Sequence, residues 1–541
     1  MNQIQTPPLG SPEFRALVQQ KLFPAMRTGM TVSVWAELLP DSPAVLGAHG
    51  NRTWAELNAH ANQLVRALRA RGLREGDGVA LLCSNRAEYV ETVNAARRGG
   101  LRLTPVNWHL TGTEAGYVVN DCDAKAFIAE ARLGDAALAA AAAAPGASVR
   151  LSVGGTLPGF ESYDEALQQQ PGGDIEDPSA GTQMLYTSGT TGRPKGVHRP
   201  SAPAPMAGPG GAVGPGLLSG NYRAGESVHL CTGPLYHAAP LAFSLGIPHM
   251  FGCAVVLMDG WEAEETLRLV QTHGVTHTHM VPTMFHRLLS LPESVRAKYD
   301  SSSLKFVLHG AAPCPVEVKR KLIEWLGPVV HEYYGATEGV GSIVDSETWL
   351  KKPGTVGKPT VEGHIKIMDD EGKELPAGQI GTVYMSAPAQ GRFSYYKDEN
   401  KTSQAYKGDH FTLGDIGYLD EDGYLFLTDR SANLIISGGV NIYPAEIEGV
   451  LLTHPAVGDV GVIGVPNPEW GEEVKAVVEL QRGFEASPEL ARELIEHCRK
   501  QLAHYKCPRS VDFVAELPRQ DNGKLYKHAL RERYRAAAQA K

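Results

Sequence analysis

Residues 186–196 read Tyr-Thr-Ser-Gly-Thr-Thr-Gly-Arg-Pro-Lys-Gly. A short apolar run, Met184-Leu185-Tyr186, opens into Thr187, Ser188, Gly189, Thr190, Thr191 and Gly192, and then into the cations Arg193 and Lys195. Glycines let the backbone approach an anion and turn its N–H groups inward, and the hydroxyls add further donors. Lys195 contributes a point charge, so the chemistry these residue types suit is holding phosphate. The order differs from the Walker loop, where Gly-Lys is followed directly by Ser or Thr; here Lys195 is followed by Gly196. A plain polar surface loop would have a similar composition, so the stretch acquires meaning only if other parts of the chain supply partners.

The elements that must position this loop follow a strand–helix rhythm. Apolar residues recur at helical spacing from Thr53 to Arg71, and Val79–Cys83 and Leu101–Val106 are short apolar runs flanking a helical pattern from Arg86 to Arg98. Ala124–Ala129 and Val149–Val153 add two further strands around an alanine-rich helix. After a Pro/Gly/Ala-dense stretch at 200–220, strands at Val228–Cys231, Ala254–Met258, Val275–Val281, Leu304–Leu308 and Val329–Tyr333 alternate with helices at Ala239–Phe251, Glu262–His273, Thr283–Leu289 and Val316–Trp325. This rhythm predicts an α/β fold of doubly wound parallel sheets, with ligands beyond the carboxyl ends of the strands. The loops to inspect are therefore 187–196, 232–238, 309–313 and 334–339. Past Thr355 paired strands around tight turns predict a small β subdomain over about 355–429. A mobile α+β unit follows, giving an N-terminal domain over 1–429 and a C-terminal domain over 430–541.

Composition narrows the function. The 541 residues carry a net charge of −9, which argues against a nucleic-acid partner. The seven cysteines are scattered and form no CxxC, which points to a reducing, cytoplasmic setting. No apolar run is long enough for a membrane span. The histidines 273, 277, 279 and 286 suggest a metal cluster at first sight, but strand alternation puts only 277 and 279 on one face, so no metal site is expected there.

Six stretches in register resemble the acyl-adenylate-forming superfamily, which includes acyl-CoA synthetases. They are the loop at 187–196; Pro234-Leu235-Tyr236-His237; His309-Gly310-Ala311-Ala312-Pro313; Tyr333-Tyr334-Gly335-Ala336-Thr337-Glu338; Gly414-Asp415-Ile416-Gly417 with Asp429-Arg430 and residues 435–448; and 518–524, Pro-Arg-Gln-Asp-Asn-Gly-Lys. The resemblance implies an AMP-forming acid–CoA ligase using ATP, Mg²⁺ and coenzyme A. A carboxylate is a poor electrophile, and attack on the α-phosphate of ATP turns it into acyl-AMP with a good leaving group. Two anions must meet, so the protein's task is neutralisation and alignment.

By the same resemblance Thr187–Lys195 hold the β- and γ-phosphates, and Glu338 with Thr187 serves the metal. Thr337 bonds the α-phosphate, Asp415 and Arg430 the ribose, and Tyr334 stacks on adenine beside Gly310–Pro313, Tyr333, Gly335 and Ala336. Lys524 bridges substrate carboxylate and α-phosphate as the catalytic lysine, with Thr187, His237 and Glu338 as the other catalytic candidates. Gly438 and Gly439 line a thiol tunnel after the small domain rotates. His237, Phe243, Thr283, His309, Gly310 and Gly335 line the acyl site. The gate Tyr236–Pro240 carries no acid to pair an amino group, which points to an apolar acid rather than an amino acid. Ala432 stands where the family usually has a charged hinge residue. That departure motivates the alternative of an enzyme specialised for one half-reaction; loading of a carrier protein is the other. The family allows a homodimer.

Overall fold

The structure, a computed structural model, describes residues 7–187, 194–199, 220–359, 361–387, 392–430, 433–437, 440–467, 469–520 and 523–539. The loop residues 188–193, the segment 200–219, the hinge residues 431–432 and Gly438-Gly439 lie outside them, as does the side chain of Arg430.

Two sheets form the large domain. One has six strands, all parallel, in the spatial order Glu161–Ser162, Val149–Val153, Ala124–Glu130, Gly78–Leu82, Arg102–Val106, Thr182–Gln183. The other has eight, ordered Gly339–Val344, Val330–Ala336, Phe306–His309, His277–Met280, Val228–Cys231, Ala254–Leu257, Pro43–Gly47, Arg52–Thr53, parallel in the middle and antiparallel at both edges. Helix Ala87–Arg98 is buried on nearly every face and shares one apolar core with strands of both sheets, Val45 and Val255 from one and Val79 and Ile128 from the other. A helix without a wet face needs cover all round, and here both sheets contribute to the core that covers it. Helix Trp54–Ala70 joins the same core. It starts with a reciprocal capping box between Thr53 and Glu56, which satisfies two orphan backbone donors.

Three expectations are corrected. The strand entering the phosphate loop does not belong to a parallel sheet. Leu185–Thr187 and Lys195–His198 form an antiparallel hairpin, Thr187 opposite Lys195, with Ser394–Tyr395 as third strand. A chain that returns within so few residues can pair only antiparallel, because a parallel return needs a long crossover. The segment 334–339 is not an open loop: Ala336 pairs with Gly339 and the chain runs straight back through Gly339–Val344. The helix expected over Ala239–Phe251 is wound as a π-helix over Pro240–Gly246 before an α-turn at Ile247–Met250, a widening often found at functional sites.

The β subdomain is a six-stranded antiparallel sheet that includes His410–Leu419 and Leu425–Arg430. A further sheet starts at Ile435 and is built on the long hairpin Val457–Asn467 and Gly471–Leu480, with Ser510–Val514 parallel to the latter.

Beneath the carboxyl end of the eight-stranded sheet lies a buried ion pair. Lys319 Nζ donates to Glu332 Oε2 at 2.6 Å, with Lys319 fully buried, and its ammonium sits 4.7 Å from the Trp349 ring centroid. Burial pushes the Glu332 carboxyl up and Lys319 opposes that shift. Lys319→Met would leave the carboxylate buried and unpaired, a cost of about 3–5 kcal/mol at neutral pH. Because Glu332 is shifted upward, the variant's deficit should grow as pH rises and shrink toward acid pH, where the carboxyl can be neutral. Urea denaturation at pH 5 and pH 8 measures both the size and the sign.

Candidate active site

The turn between Ala336 and Gly339 is where the separate sheets meet. Tyr334, two residues before the end of its strand, donates its hydroxyl to Asp415 Oδ2 at 2.8 Å, and both side chains are buried. Asp415 stands directly opposite Arg430 in the β subdomain sheet. The two residues assigned to ribose are therefore neighbours, and the adenine-side tyrosine is tied to one of them. From the phosphate hairpin, Arg199 Nη2 donates to the backbone carbonyls of Thr337 at 3.1 Å and Glu338 at 2.5 Å. Lys195 is in an ion pair with Asp398 at 3.2 Å, and Thr187 Oγ1 lies 3.5 Å from the Lys195 carbonyl.

Glu338 is 8% exposed and accepts a hydrogen bond from Tyr395 Oη on Oε1 at 2.9 Å. Among the described residues no cationic side chain forms an ion pair with it. Arg199 is near enough to sense its charge but bonds the backbone instead, and a buried carboxylate so placed suits a hard divalent cation. The described residues contain no cluster of three or more His, Cys, Asp or Glu able to hold a metal by themselves. That fits Mg²⁺, which takes one or two carboxylates and completes its shell with phosphate and water.

The turn 310–313 follows strand Phe306–His309. Ala311 is held at φ 70°, a left-handed conformation that costs an L-residue about 1–2 kcal/mol and gathers at functional sites. A Cβ on Gly310 would stand 2.6 Å from the Tyr333 ring, so only glycine lets that ring lie over the turn. Tyr333 packs edge-on against Phe243 with centroids 4.7 Å apart, and its hydroxyl is 3.3 Å from His279 Nε2. Burial drops His279 to about 3, so it is neutral. Phe243 and Tyr333 form one apolar cluster with Ile247, Phe306, Leu308 and Val340. His237 stands just before the π-helix, its ring 4.4 Å from that of Tyr236.

His309 does not line the acyl site as expected. It is fully buried, edge-on to Phe285 at 5.0 Å and 3.6 Å from Glu332, and burial holds it well below its usual range. Strand alternation turns it into the core beneath the turn rather than toward the surface.

The C-terminal lysine loop is docked on the large domain. Gly523 has φ 77°, and a Cβ there would meet Thr283 Oγ1 at 2.6 Å and Val281 Cγ2 at 2.9 Å. Lys524 is thereby placed next to Thr283, an expected acyl-side residue. Arg519 shapes the loop: its Nη2 donates to Asp459 Oδ1 at 2.6 Å, its Nε donates to Oδ2 of the same carboxylate, and its Nη1 donates to the Gly523 carbonyl at 2.7 Å. The Lys524 carbonyl accepts from Gln520 N at 2.8 Å.

Sequence reasoning missed Arg199, Tyr395, Asp398 and Arg519. The first three act through the antiparallel pairing of distant segments, which no local pattern announces. Arg519 lies within the stretch 518–524, but its partner Asp459 is on the distant strand Val457–Asn467.

Converging loops from a parallel sheet, a β subdomain and a phosphate hairpin, with a lysine delivered by a separate small unit, make the architecture of an adenylate-forming enzyme. The chain belongs to the AMP-binding enzyme family: that family matches residues 32–396, and the AMP-binding enzyme C-terminal domain matches 446–524. It is 35% identical over 501 residues to the 2-succinylbenzoate–CoA ligase of Geobacillus kaustophilus, covering 92% of this chain and 96% of that one. It is 32% identical to the fatty acid–[acyl-carrier-protein] ligase ScoC of Streptomyces coeruleorubidus, covering 97% and 98%. Among solved structures, the anthranilate CoA ligase AuaEII in complex with anthranoyl-AMP superposes with a TM-score of 0.81 at 27% identity, covering 94% and 98%.

Gly523→Ala should disturb only the docked loop. Left-handed strain and the clash with Thr283 together cost about 1–2 kcal/mol, which lowers adenylation about tenfold. Pyrophosphate exchange with the substrate acid should show that loss, while thioester formation from supplied acyl-AMP should not.

Proposed function

We propose that this chain, an AMP-forming acid–CoA ligase using ATP, Mg²⁺ and coenzyme A, activates an apolar carboxylic acid and passes its acyl group to the thiol of coenzyme A. The observation that carries the site assignment is the convergence on residues 334–338 of bonds from Asp415, Arg199 and Tyr395, with the Lys524 loop seated against Thr283. In this reading the hairpin loop from Thr187 to Lys195 cradles the β- and γ-phosphates, and Thr337 donates to the α-phosphate. Asp415, with Arg430 opposite it, accepts from the ribose hydroxyls, and the Tyr334 ring stacks on adenine. Lys524 neutralises the acid carboxylate and the α-phosphate as they approach. Mg²⁺, when bound at Glu338, supplies charge neutralisation of the phosphates.

The acid points into the cluster of Phe243, Tyr333 and Gly310, beside His237. Those walls are aromatic and carry no fixed charge, and His279 at the far end is neutral and hydrogen-bonded to Tyr333. Such walls suit a flat or aliphatic acid. Transfer to the thiol follows rotation of the small domain about 430–433, withdrawing Lys524 and bringing Gly438-Gly439 to the tunnel. The seven free cysteines fit action in the cytoplasm. No described helix is long and apolar enough to cross a membrane.

A second reading, loading of a carrier protein, is favoured by one observation: the relative named as an acyl-carrier-protein ligase aligns over 97% of this chain. Coenzyme A and a phosphopantetheinylated carrier, offered separately with a panel of aromatic and aliphatic acids, separate the two by which thiol accelerates AMP release. Lys524→Ala should lose about 10²–10³-fold in pyrophosphate exchange, the size of one preorganised donor to developing charge. It should keep thioester formation from supplied acyl-AMP, and equal loss in both assays would refute the role given to this lysine.

A further inference from the structure

The short segment after Phe393 belongs to none of the nucleotide-binding stretches, yet it touches two of them. Ser394–Tyr395 is the third strand of the phosphate hairpin sheet, with Tyr395 opposite Val197. The Tyr395 ring is 9% exposed, edge-on to Phe393 at 5.4 Å and covered by the Lys401 ammonium at 4.4 Å. Its hydroxyl reaches Glu338 Oε1 at 2.9 Å, and no other described side chain hydrogen-bonds that carboxylate. Three residues on, Asp398 caps helix Glu399–Ala405 through Oδ1 and holds Lys195 at 3.2 Å through Oδ2. One rigid corner of the fold thus grips both the metal-side carboxylate and the phosphate-loop lysine.

We propose that Tyr395 is a positioning residue for Glu338, fixing the rotamer of that carboxylate so that Oε2 is presented to the divalent cation that accompanies ATP. The inference rests on the reading of Glu338 as the metal-holding residue. A glutamate with no partner samples several rotamers and loses that freedom when it binds metal. A buried phenol on a paired strand removes the freedom beforehand and occupies one oxygen only. Outer-shell donors to ligating groups carry this kind of leverage on metal affinity without touching the metal.

The test is Tyr395→Phe, which removes the hydroxyl and keeps the ring. ATP binding by calorimetry is titrated against Mg²⁺, and AMP binding is measured with chelator and no divalent ion. The Mg²⁺ concentration for half-maximal ATP binding should rise about tenfold while AMP binding holds, the size typical of a lost outer-shell partner. A half-saturating Mg²⁺ within about twofold of the parent overturns the proposal, since outer-shell losses exceed that. So does a matching loss of AMP binding, which would mark Tyr395 as scaffold alone. Glu338→Gln is run beside it. If Glu338→Gln shifts the Mg²⁺ requirement and Tyr395→Phe does not, only this inference falls. If Glu338→Gln leaves the requirement unchanged, the metal reading of Glu338 falls, and this inference with it.

Discussion

Sheets that share no strand can form one active centre only if something other than backbone pairing fixes their relation. Here that constraint is met at the hairpin around Thr337 and Glu338. Tyr334 bonds across to Asp415 of the β subdomain, Arg199 of the phosphate hairpin bonds both carbonyls of the turn, and Tyr395 bonds the Glu338 carboxylate. Each bond is buried or nearly so, where a hydrogen bond is electrostatically stronger than in water and a broken one leaves a costly orphan. Burial works against the Arg199 charge while Glu338 favours it, so the guanidinium gains most by spending its donors on the turn carbonyls.

The same logic extends below the site. His309 lies at the floor of the adenine-side turn with Glu332 and Lys319 behind it. Burial keeps His309 neutral, which leaves the Lys319–Glu332 pair to balance itself. The floor therefore presents no net charge to a nucleotide above it. In the proposed reading the charge that meets the phosphates comes instead from Lys195 and Lys524, which lie apart from the buried Lys319–Glu332 pair.

The strand–helix alternation was legible because parallel strands buried on both faces read as continuous apolar runs, Val79–Leu82 and Phe306–Leu308 among them. The sites that bear literal motifs, Asp415, Glu338 and Lys524, were legible as motifs. Local patterns could not reveal pairing direction: Met184-Leu185-Tyr186 reads the same whether the next strand is parallel or antiparallel. For the same reason the sequence hid Tyr395 and Arg199, whose importance lies in what they face across a sheet. His309 misled because a motif position says which residue is present and not which way alternation turns it.

In the proposed reading the lysine loop delivers and withdraws a charged group without being rebuilt. Arg519 grips Asp459 and the Gly523 carbonyl, and Gln520 closes on Lys524; every one of these bonds is internal to the small domain. Burial works against the Arg519 charge, and Asp459 with Glu448 and Glu479 more than offsets it. The large domain is touched by the loop at Gly523, where the absence of a Cβ allows Thr283 and Val281 to approach. Undocking at Gly523 thus leaves the described hydrogen bonds of Arg519 and Gln520 within the loop intact. Under the proposed rotation between half-reactions the lysine would travel as a preformed piece, with the entropy of shaping its turn met once, when the small domain folds.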